Sequence, residues 1–500
     1  MQKSHLLALA FATLACSPFA KADNPLITDQ FTADPTARAF DGKIYVYPSH
    51  DIAASEGVGR SGWFNMRDYH TFSTENGIDW HDWGIIVDQA KTDWVNVNSY
   101  AMWAPDCIFK NGKYYFYFPA PSKQGYVNPR TPAAPPAAAT APATATAPGG
   151  FAGGPGGPGG PGGFGGRGGR GGRGGGGGGG SRIGVAISDT PHGPFDVQPP
   201  ILGVGGIDPG LLIDPKDGSV YMFTAGGRIS VSKLNDDLVS LAAGPQVIAN
   251  LPTQGTIEGP FPFERNGIYY LTYPHAVTIN GHEAEQLEYA TAKSPMGPYT
   301  VAGVFMDQTP NGAWTNHQSV VQYNGQWILF YHDKLLSPSF DKNRSICADY
   351  LTFNVDGTIQ KVTPTLRGIG IADAKRQIQI DRYSDISKEG AAVDFIDPKN
   401  TFGGWKTTFS AKNAWIQYNR VNFDPGLKSV KARTISPNGG TLEIHLDKPD
   451  SPVIATITIP KGADWTEATA TLTNLPTGQH DLIVTTPDAG EVQVDWVSFQ

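Results

Sequence analysis

Residues 106–117 read Asp106-Cys-Ile-Phe-Lys-Asn111-Gly112-Lys-Tyr-Tyr-Phe-Tyr117, which is a polar residue, an apolar run, an Asn-Gly pair and an aromatic run. An Asn-Gly pair between apolar runs indicates a β-hairpin, because a type I′ turn requires positive φ at both central residues. Four further stretches repeat the pattern with an Asn-Gly or Asp-Gly pair: residues 34–47, 208–223, 258–273 and 317–330. Five repeated hairpins predict the five blades of a β-propeller in an all-β chain.

Each of the five hairpins begins with a polar residue. If the first strand of every hairpin is the innermost strand of its blade, these residues meet at one end of the central channel. Pro follows the first and third of them directly and the fourth after one Gly, and Pro suits the first position of a strand because it has no N–H. The five residues are Asp34, Asp106, Asp208, Glu258 and His317.

Four acids and one histidine around a narrow opening predict an active site. Hydrolysis of a glycosidic bond requires one carboxylic acid that protonates the leaving oxygen and one carboxylate that activates water or attacks carbon. Asp34, Asp208 and Glu258 supply this pair and a third carboxylate, whose charge tunes the acid by repulsion. The alternative is that the Asp-Pro and Glu-Gly-Pro sequences merely begin strands, but their recurrence at matching points of the repeats favours catalysis.

The chain of 500 residues is too long for one ordinary core, so two or more domains are expected. The hairpin pattern assigns residues 24–370 to the propeller. Within it, residues 129–181 are rich in Pro and Ala and then in Gly, a composition that buries too little apolar surface to fold, so we expect a disordered insert in the second blade. Residues 374–500 lose the hairpin pattern and show six or more short strands, which predict a jelly-roll-like β-sandwich.

Residues 1–22 have the features of a secretory signal peptide. Lys3 is followed by an apolar stretch at residues 6–15 and by the small-x-small sequence Ala20-Lys21-Ala22, after which we expect cleavage. The protein is therefore expected to be secreted or periplasmic. No later segment approaches 18 uninterrupted apolar residues, so no membrane partner is expected.

Charge and cysteine content exclude several functional classes. The net charge of −8 argues against a nucleic-acid partner, and the Arg-Gly-Gly repeat at residues 167–173 favours a linker over an RNA-binding segment. Cys107 and Cys347 lie in apolar runs, so we expect buried free thiols, with a disulfide between them as the alternative. The sequence has no Cys-x-x-Cys or His-Glu-x-x-His, which argues against a zinc site. A monomer is expected.

Six short motifs accompany the predicted channel. They are Asp34-Pro35, Trp103-Ala-Pro-Asp106, Gly206-Ile-Asp208-Pro209, Ile257-Glu258-Gly-Pro260, Asn316-His317-Gln-Ser and Arg344-Ser-Ile-Cys. Together they resemble the motifs of glycoside hydrolase family 43, whose members are five-bladed propeller enzymes that invert the anomeric centre. The resemblance covers all five predicted blades.

The resemblance implies a role for each acid. By motif, Asp34 is the general base, Asp208 the pKa modulator and positioning residue, and Glu258 the general acid. His317 is similar to a histidine that coordinates a central calcium or a water in many members. No cofactor is required on this interpretation, and a structural calcium is the one candidate.

Four further residues are expected to bind the sugar. By the same resemblance, Asp106 and Arg344 fall where family members touch the sugar in the −1 subsite. Trp103 and Trp314 flank the channel residues in the sequence, and an aromatic plane suits the C–H face of a sugar ring. For both tryptophans, packing in the core or at the rim is the alternative.

Three segments of the C-terminal region carry a second resemblance. They are Ile378-Gln-Ile-Asp381-Arg-Tyr383, Trp415-Ile-Gln-Tyr418-Asn-Arg-Val-Asn-Phe423 and Val494-Asp495-Trp496-Val-Ser-Phe499. These segments resemble carbohydrate-binding module family 6. The resemblance implies a structural calcium held by Asp381 and Asp495 and a ligand-stacking role for Trp465.

The sequence therefore predicts a secreted inverting exo-glycosidase that releases L-arabinofuranose or D-xylose from arabinoxylan or xylan, so that its partner is plant cell-wall polysaccharide or oligosaccharide. The alternative is a non-catalytic glycan-binding propeller whose acids hold calcium. The related sucrose- and fructan-cleaving propellers are disfavoured, because their Asn-Asp-Pro, Arg-Asp-Pro and Glu-Cys motifs do not occur at these acids.

Overall fold

A computed structural model describes residues 20–21, 23–132, 180–279 and 281–500. In these residues the regular structure consists of β-strands and two single-turn 3₁₀ helices, Gln89–Lys91 and Thr401–Gly403. None of the described residues forms a helix with the length and hydropathy needed to cross a bilayer. The all-β prediction is confirmed.

The N-terminal part folds into five antiparallel sheets, one for each predicted blade. Blade 1 contains β2 (Ala33–Phe40), β3 (Lys43–Asp51), β4 (Met66–Thr74) and β5 (Asp79–Asp88), with β1 (Ala20–Lys21) paired to β5 at its outer edge. Blade 2 contains β6 (Asp106–Lys110), β7 (Lys113–Pro121), β8 (Ser181–Ser188) and β9 (Asp196–Val197). Blade 3 contains β10 (Ile207–Ile213), β11 (Val220–Ala225), β12 (Ile229–Leu234) and β13 (Leu241–Val247). Blade 4 contains β14 (Thr256–Ile257), β15 (Phe261–Arg265), β16 (Ile268–Ile279), β17 (His282–Ala292) and β18 (Thr300–Met306). Blade 5 contains β19 (Ser319–Tyr323), β20 (Gln326–Asp333) and β21 (Ser345–Leu351).

The innermost strands form a closed ring. Strand β2 contacts β6, β6 contacts β10, β10 contacts β15, β15 contacts β19, and β19 returns to β2. A hydrophobic cluster fills each of the five spaces between neighbouring blades, and the aromatic residues of the hairpins supply much of it. Because each blade buries both of its faces against neighbours, the ring confirms the five-bladed propeller.

The N-terminal segment closes the ring. The backbone N–H groups of Leu26 and Thr32 donate hydrogen bonds of 2.9 Å to the carbonyl oxygens of Ile346 and Arg344, which belong to or adjoin β21 of blade 5. The same segment continues directly into β2 of blade 1. The first blade and the last blade are therefore tied together at the point where the chain enters the propeller.

Four of the five predicted turns have the expected backbone. In the pairs beginning at Asp41, Asn111, Asn266 and Asn324, both residues have positive φ, as a type I′ turn requires. The Asp217-Gly218 pair differs, because only the glycine has positive φ. There the strands are separated by a longer loop, closed by hydrogen bonds between the backbones of Asp214, Gly218 and Ser219.

The C-terminal part is a sandwich of two sheets. One contains β22 (Ala372–Asp373), β23 (Asp385–Ile386), β26 (Trp415–Phe423), β28 (Gly440–Leu446), β29 (Ala455–Ile459) and β31 (Gly478–Thr485). The other contains β24 (Ala391–Phe395), β25 (Trp405–Phe409), β27 (Ser429–Ser436), β30 (Gly462–Thr471) and β32 (Val492–Phe499). One hydrophobic cluster lies between the sheets, so the predicted β-sandwich is confirmed.

A buried ion pair joins the two parts of the chain. Arg367 Nη1 lies 3.2 Å from Asp23 Oδ1, which also accepts a 2.8 Å hydrogen bond from the Tyr418 hydroxyl of the sandwich. The guanidinium of Arg367 stacks 4.2 Å from the centre of the Tyr418 ring. The contacts fix the sandwich against the propeller through side chains that are almost completely buried.

Two sequence predictions lie mainly outside the described residues. The signal peptide falls on residues 1–19 and 22, and the insert falls on residues 133–179. At the described ends of the predicted insert the chain is folded: Arg130 Nη1 donates to the carbonyl oxygens of Pro199 and Val239, and Ser181 begins β8. Cys107 and Cys347 are buried free thiols, as predicted.

Asp106 has a different role from the one expected. Its side chain is completely buried, and its oxygens accept hydrogen bonds from Arg38 Nε (3.0 Å), Arg38 Nη2 (2.5 Å), Cys107 N (2.6 Å) and Leu211 N (2.6 Å). Arg38 lies on blade 1 and Leu211 on blade 3, so Asp106 connects three neighbouring blades. This buried network corrects the expectation that Asp106 touches the sugar.

We expect Asp106→Ala to destabilise the propeller by about 3–5 kcal/mol, because it leaves the partly buried guanidinium of Arg38 without its partner. The matched control in the same blade is Asp189→Ala, which removes an exposed ion pair with Lys113 and should leave the unfolding free energy nearly unchanged. Urea unfolding followed by tryptophan fluorescence measures both. Equal stabilities of the two variants would contradict the interblade role.

Candidate active site

Two of the three acids predicted for catalysis, and the glycine that follows the third, have positive φ. Asp34 and Asp208 have φ of 49° and 54°, in the left-handed region that residues other than Gly rarely adopt, and each lies where the register of its strand shifts. Gly259, next to Glu258, has φ of 51°. Such backbone strain clusters at functional sites, where surrounding contacts hold it in place.

Arg344 holds the carboxylate of Asp34. Its Nη1 donates to Asp34 Oδ1 at 2.8 Å and its Nη2 to Oδ2 at 3.3 Å. Burial of Asp34 by itself would raise the pKa of this carboxyl, but the charge of Arg344 holds the net pKa below its ordinary value. Asp34 is therefore an ionised base in a site that is only 5% exposed.

All five N–H donors of Arg344 are used inside the protein. Besides Asp34, Nε and Nη2 each donate at 2.9 Å to the two oxygens of Asp51, and Nη1 donates at 3.0 Å to Thr315 Oγ1. A guanidinium has five N–H groups and no acceptor, so none is left over for a sugar hydroxyl. The structure thus makes Arg344 a positioning residue for Asp34.

His332 fixes the backbone of Asp34. The Asp34 N–H donates to His332 Nδ1 at 3.1 Å, which requires the ring proton on Nε2, and Nε2 lies 3.3 Å from the carbonyl oxygen of Trp314. Burial, followed by the charge of Arg344, lowers the pKa of His332 well below its ordinary value, so the ring is neutral. A neutral ring is the form that can accept this hydrogen bond.

Asp208 is bound to the residue that follows Glu258. Its Oδ2 accepts a 3.1 Å hydrogen bond from the N–H of Gly259, which supports a positioning role for Asp208 toward Glu258. The ring of His317 packs against the same glycine: a Cβ at this position would lie 3.2 Å from His317 Nε2. Glycine is therefore required here both by its positive φ and by the contact with His317.

The charges of the acids act on two buried rings, His317 and Tyr69. Burial lowers the pKa of His317, while the charges of Asp34 and Glu258 both act in the opposite direction on the same ring. Burial raises the pKa of Tyr69, and Asp34 and Asp208 both raise it further. The His317 ring is thus coupled to Asp34 and Glu258, and the Tyr69 ring to Asp34 and Asp208.

The surroundings of His317 suit the calcium or water that the family resemblance implies for it. Both of its ring nitrogens are buried without a hydrogen-bond partner in the described part of the chain, as are the side-chain oxygens of its neighbours Asn316 and Gln318. Buried polar atoms normally have a partner, so a cation or an ordered water suits this position. A cation held by His317 would add positive charge beside Asp34 and Glu258.

Trp103 and Trp314 pack against the same hydrophobic cluster. Both are half-buried and pack against the hydrophobic cluster between blades 1 and 2. Tyr69, which belongs to that cluster, donates a 2.5 Å hydrogen bond to the carbonyl oxygen of Trp103. Both tryptophans thus pack against the cluster that contains Tyr69.

The two aspartates predicted to hold calcium in the sandwich have separate partners. Asp495 forms an ion pair with Arg433, and Asp381 lies 3.4 Å from Arg382 Nε. Neither belongs to a group of three or more metal-ligating side chains among the described residues. Arg433 also covers one face of Trp465, 4.9 Å from the ring centre, so at most one face of that ring is open to a sugar.

The arrangement can activate water on one side of a bound sugar and protonate an oxygen on the other. Asp34 is ionised and locked by Arg344, as a general base has to be. Glu258 comes from blade 4 and is buried, at 7% exposure. Two carboxyl groups with these properties meet the requirement for glycoside hydrolysis.

Comparison with known proteins identifies the family. A xylosidase/arabinosidase 43A from Humicola insolens is 30% identical over 390 residues, which cover 68% of this chain and 99% of that protein. Residues 172–359 match the model of glycosyl hydrolases family 43. The chain belongs to glycosyl hydrolases family 43. Residues 385–500 of this family 43 protein match the model of carbohydrate binding module (family 6).

Solved structures agree with the family assignment. CoXyl43, a GH43 beta-xylosidase/alpha-arabinofuranosidase from a compost microbial metagenome solved with xylotriose in a calcium-free form, is 30% identical, with a TM-score of 0.53 and coverage of 69% of this chain and 98% of that one. An arabinoxylan arabinofuranohydrolase from Bacillus subtilis shares the fold across both domains: 97% of this chain and 99% of that one are covered at 22% identity and a TM-score of 0.51.

We expect Arg344→Gln to raise the pKa of Asp34, because burial then acts without the guanidinium that opposes it. The ionised base is needed for turnover, so the acid limb of the pH profile of kcat/KM should move to higher pH, while the alkaline limb stays in place. Arg376→Gln, which removes an ion pair with Asp79 elsewhere on the protein, is the control. An unchanged acid limb in Arg344→Gln would contradict the assignment of Asp34 as the base.

Proposed function

We propose that this family 43 protein is an inverting exo-acting glycosidase that removes D-xylose or L-arabinofuranose from xylan or arabinoxylan. The observation that carries the proposal is the ionised, doubly held carboxylate of Asp34, which shares the space around His317 with Glu258. A site of this kind supplies the base and the acid of a single displacement.

In the proposed reaction Asp34 accepts a proton from a water molecule while the water oxygen bonds to the anomeric carbon. The bond from that carbon to the leaving oxygen breaks, and Glu258 gives its proton to this oxygen. Asp208 holds the backbone beside Glu258 through Gly259, and Arg344 keeps Asp34 in place. Exchange of protons with solvent then returns Asp34 to its ionised form and Glu258 to its protonated form.

The proposed specificity for D-xylose or L-arabinofuranose is based on the names of similar proteins. The similar proteins include a xylosidase/arabinosidase from Bacteroides ovatus, 27% identical over 376 residues, and a beta-xylosidase from Xylanibacter ruminicola, 26% identical over 374 residues. Two solved relatives contain xylotriose. Family membership favours an enzyme over the non-catalytic alternative. A glycan-binding propeller would not need an ionised carboxylate such as Asp34, held in place by Arg344.

We further propose that the protein is exported and that His317 is a calcium site. Export is supported by the features of residues 1–22 in the sequence. Calcium is supported by the unpartnered ring of His317 and by the existence of a solved relative in a calcium-free form. For the C-terminal domain, the match to the binding module supports attachment to the polysaccharide that the propeller degrades.

The test of the proposed roles uses two leaving groups. We expect Asp34→Asn and Glu258→Gln each to lose at least about a hundredfold in kcat on xylo-oligosaccharides or aryl arabinofuranosides. With a dinitrophenyl leaving group, which departs without a proton, Glu258→Gln should recover much of its rate and Asp34→Asn should not. The matched controls are Glu264→Gln in the same blade as Glu258 and Asp217→Asn at an exposed turn. Near-normal turnover in either acid variant, or equal recovery of both, would refute the roles.

The stereochemistry of the product gives a separate test. A single displacement by water predicts that the anomer released first has the configuration opposite to that of the bond cleaved. Proton NMR of a concentrated enzyme sample records the first product before mutarotation. Initial release of the retained anomer would contradict the mechanism and would require a covalent intermediate.

A further inference from the structure

Three metal-ligating side chains meet in blade 1, outside the catalytic residues. One ligand atom each from His50, Asp68 and His70 can be chosen so that all lie within 4.8 Å of one another. Asp68 and His70 are two residues apart on β4, and His50 lies on the neighbouring strand β3, so alternation along the strands places all three on one face of the sheet. Tyr69, between the two β4 residues, points to the opposite face and into the buried cluster beside the acids.

Hydrogen bonds to a second carboxylate orient the ring of His70. Its Nδ1 lies 3.2 and 3.3 Å from the two oxygens of Asp82, and Asp82 is itself fixed by hydrogen bonds from Gln30 Nε2 (3.1 Å) and the Gly84 N–H (2.7 Å). A proton on Nδ1 of a neutral ring leaves a lone pair on Nε2. Histidine ligands of metals are typically oriented by a carboxylate in this manner.

Nε2 of His70 faces the carboxylate of Asp68. Nε2 lies 3.8 Å from Asp68 Oδ1, which is too long for a hydrogen bond, while His50 Nδ1 lies 2.6 Å from the same oxygen. The second oxygen of Asp68 is engaged by Arg67 Nε at 3.1 Å. A neutral His70 would direct its Nε2 lone pair at this carboxylate, an unfavourable contact that a metal cation or a proton on Nε2 relieves.

We propose that His50, Asp68 and His70 form a binding site for a divalent transition-metal ion of the zinc type. Two imidazole nitrogens and one carboxylate oxygen are ligands that zinc accepts, with bonds of about 2.0–2.2 Å, so the ligand atoms lie about 3.3 Å apart in a tetrahedral site. The observed separations of 2.6 and 3.8 Å bracket this value, and a movement of Asp68 Oδ1 by about 0.6 Å would equalise them.

The burial of the site suits one water as the fourth ligand. The Asp68 side chain is 2% exposed, whereas those of His50 and His70 are 21% and 12% exposed, so the site is open on one side. A metal bound there would join β3 to β4 next to Asp51, the residue that follows His50 and that holds Arg344. The site lacks the sequence motifs typical of zinc, because its ligands come from neighbouring strands of a sheet.

The experiment measures zinc binding to the full chain after removal of metals with a chelator. Isothermal titration with zinc chloride should give one zinc equivalent fewer for His50→Gln and for His70→Gln than for the wild type. The matched control is His81→Gln, on β5 of the same blade, which should retain the wild-type stoichiometry. In the wild type, zinc at a hundredfold excess over its dissociation constant should raise the thermal midpoint by about 4 °C, and His70→Gln should lack this shift.

Equal zinc stoichiometry in all four proteins, or no zinc bound by the wild type, would overturn the proposal and leave a hydrogen-bonded His–Asp–His cluster. If the blade 1 variants do not fold, X-ray absorption of zinc bound to His317→Gln decides, because the channel histidine is then absent. Two imidazoles and an oxygen ligand at about 2.0–2.2 Å are expected. One imidazole or none would contradict the site, and both readouts are independent of glycosidase activity.

Discussion

The guanidinium of Arg344 is buried inside the propeller, and the catalytic site depends on how its charge is neutralised. An unpaired buried charge costs several kcal/mol, so the surrounding groups must supply both counter-charge and hydrogen bonds. Asp34 and Asp51 supply the charge, and with Thr315 they accept all five N–H donors. The same contacts leave Asp34 ionised and unable to turn away, so one buried cation sets both the protonation state and the position of the base.

This network lies where the ring of blades closes. Asp34 and Asp51 belong to blade 1, whereas Arg344 directly precedes β21 of blade 5 and accepts a backbone hydrogen bond from Thr32 in the closing segment. Formation of the catalytic base therefore requires closure of the propeller. At the neighbouring contact between blades, Asp106 and the partly buried Arg38 connect blade 1 with blades 2 and 3 through a second ion pair. Two ion pairs thus join blade 1, which carries Asp34, to its neighbours.

Much of the fold could be predicted from the sequence because the hairpin signal is local. An Asn-Gly pair between apolar runs predicts a hairpin turn from a few neighbouring residues. The repeated pattern then identifies the polar residue that begins the first strand of each hairpin. The partners of these residues are not local: Asp51 and Arg344 are 293 positions apart, and no spacing rule connects them. For this reason the sequence identified Asp34 but missed Asp51, and it assigned Asp106 to the sugar although the carboxylate oxygens of Asp106 already accept four hydrogen bonds. The longer Asp217-Gly218 loop was missed because the backbone of Asp214 closes a wider loop by hydrogen bonds with Gly218 and Ser219.

The account depends most on Asp34 and Glu258 facing each other across one sugar. A crystal structure of the wild-type chain with bound D-xylose measures this directly. The account predicts that the ring lies between the two carboxyl groups, which are separated by about 6.5–9.5 Å with a water beside Asp34, as an inverting enzyme requires. A separation near 5–5.5 Å without room for that water, or a sugar bound where it does not lie between the two groups, would contradict it.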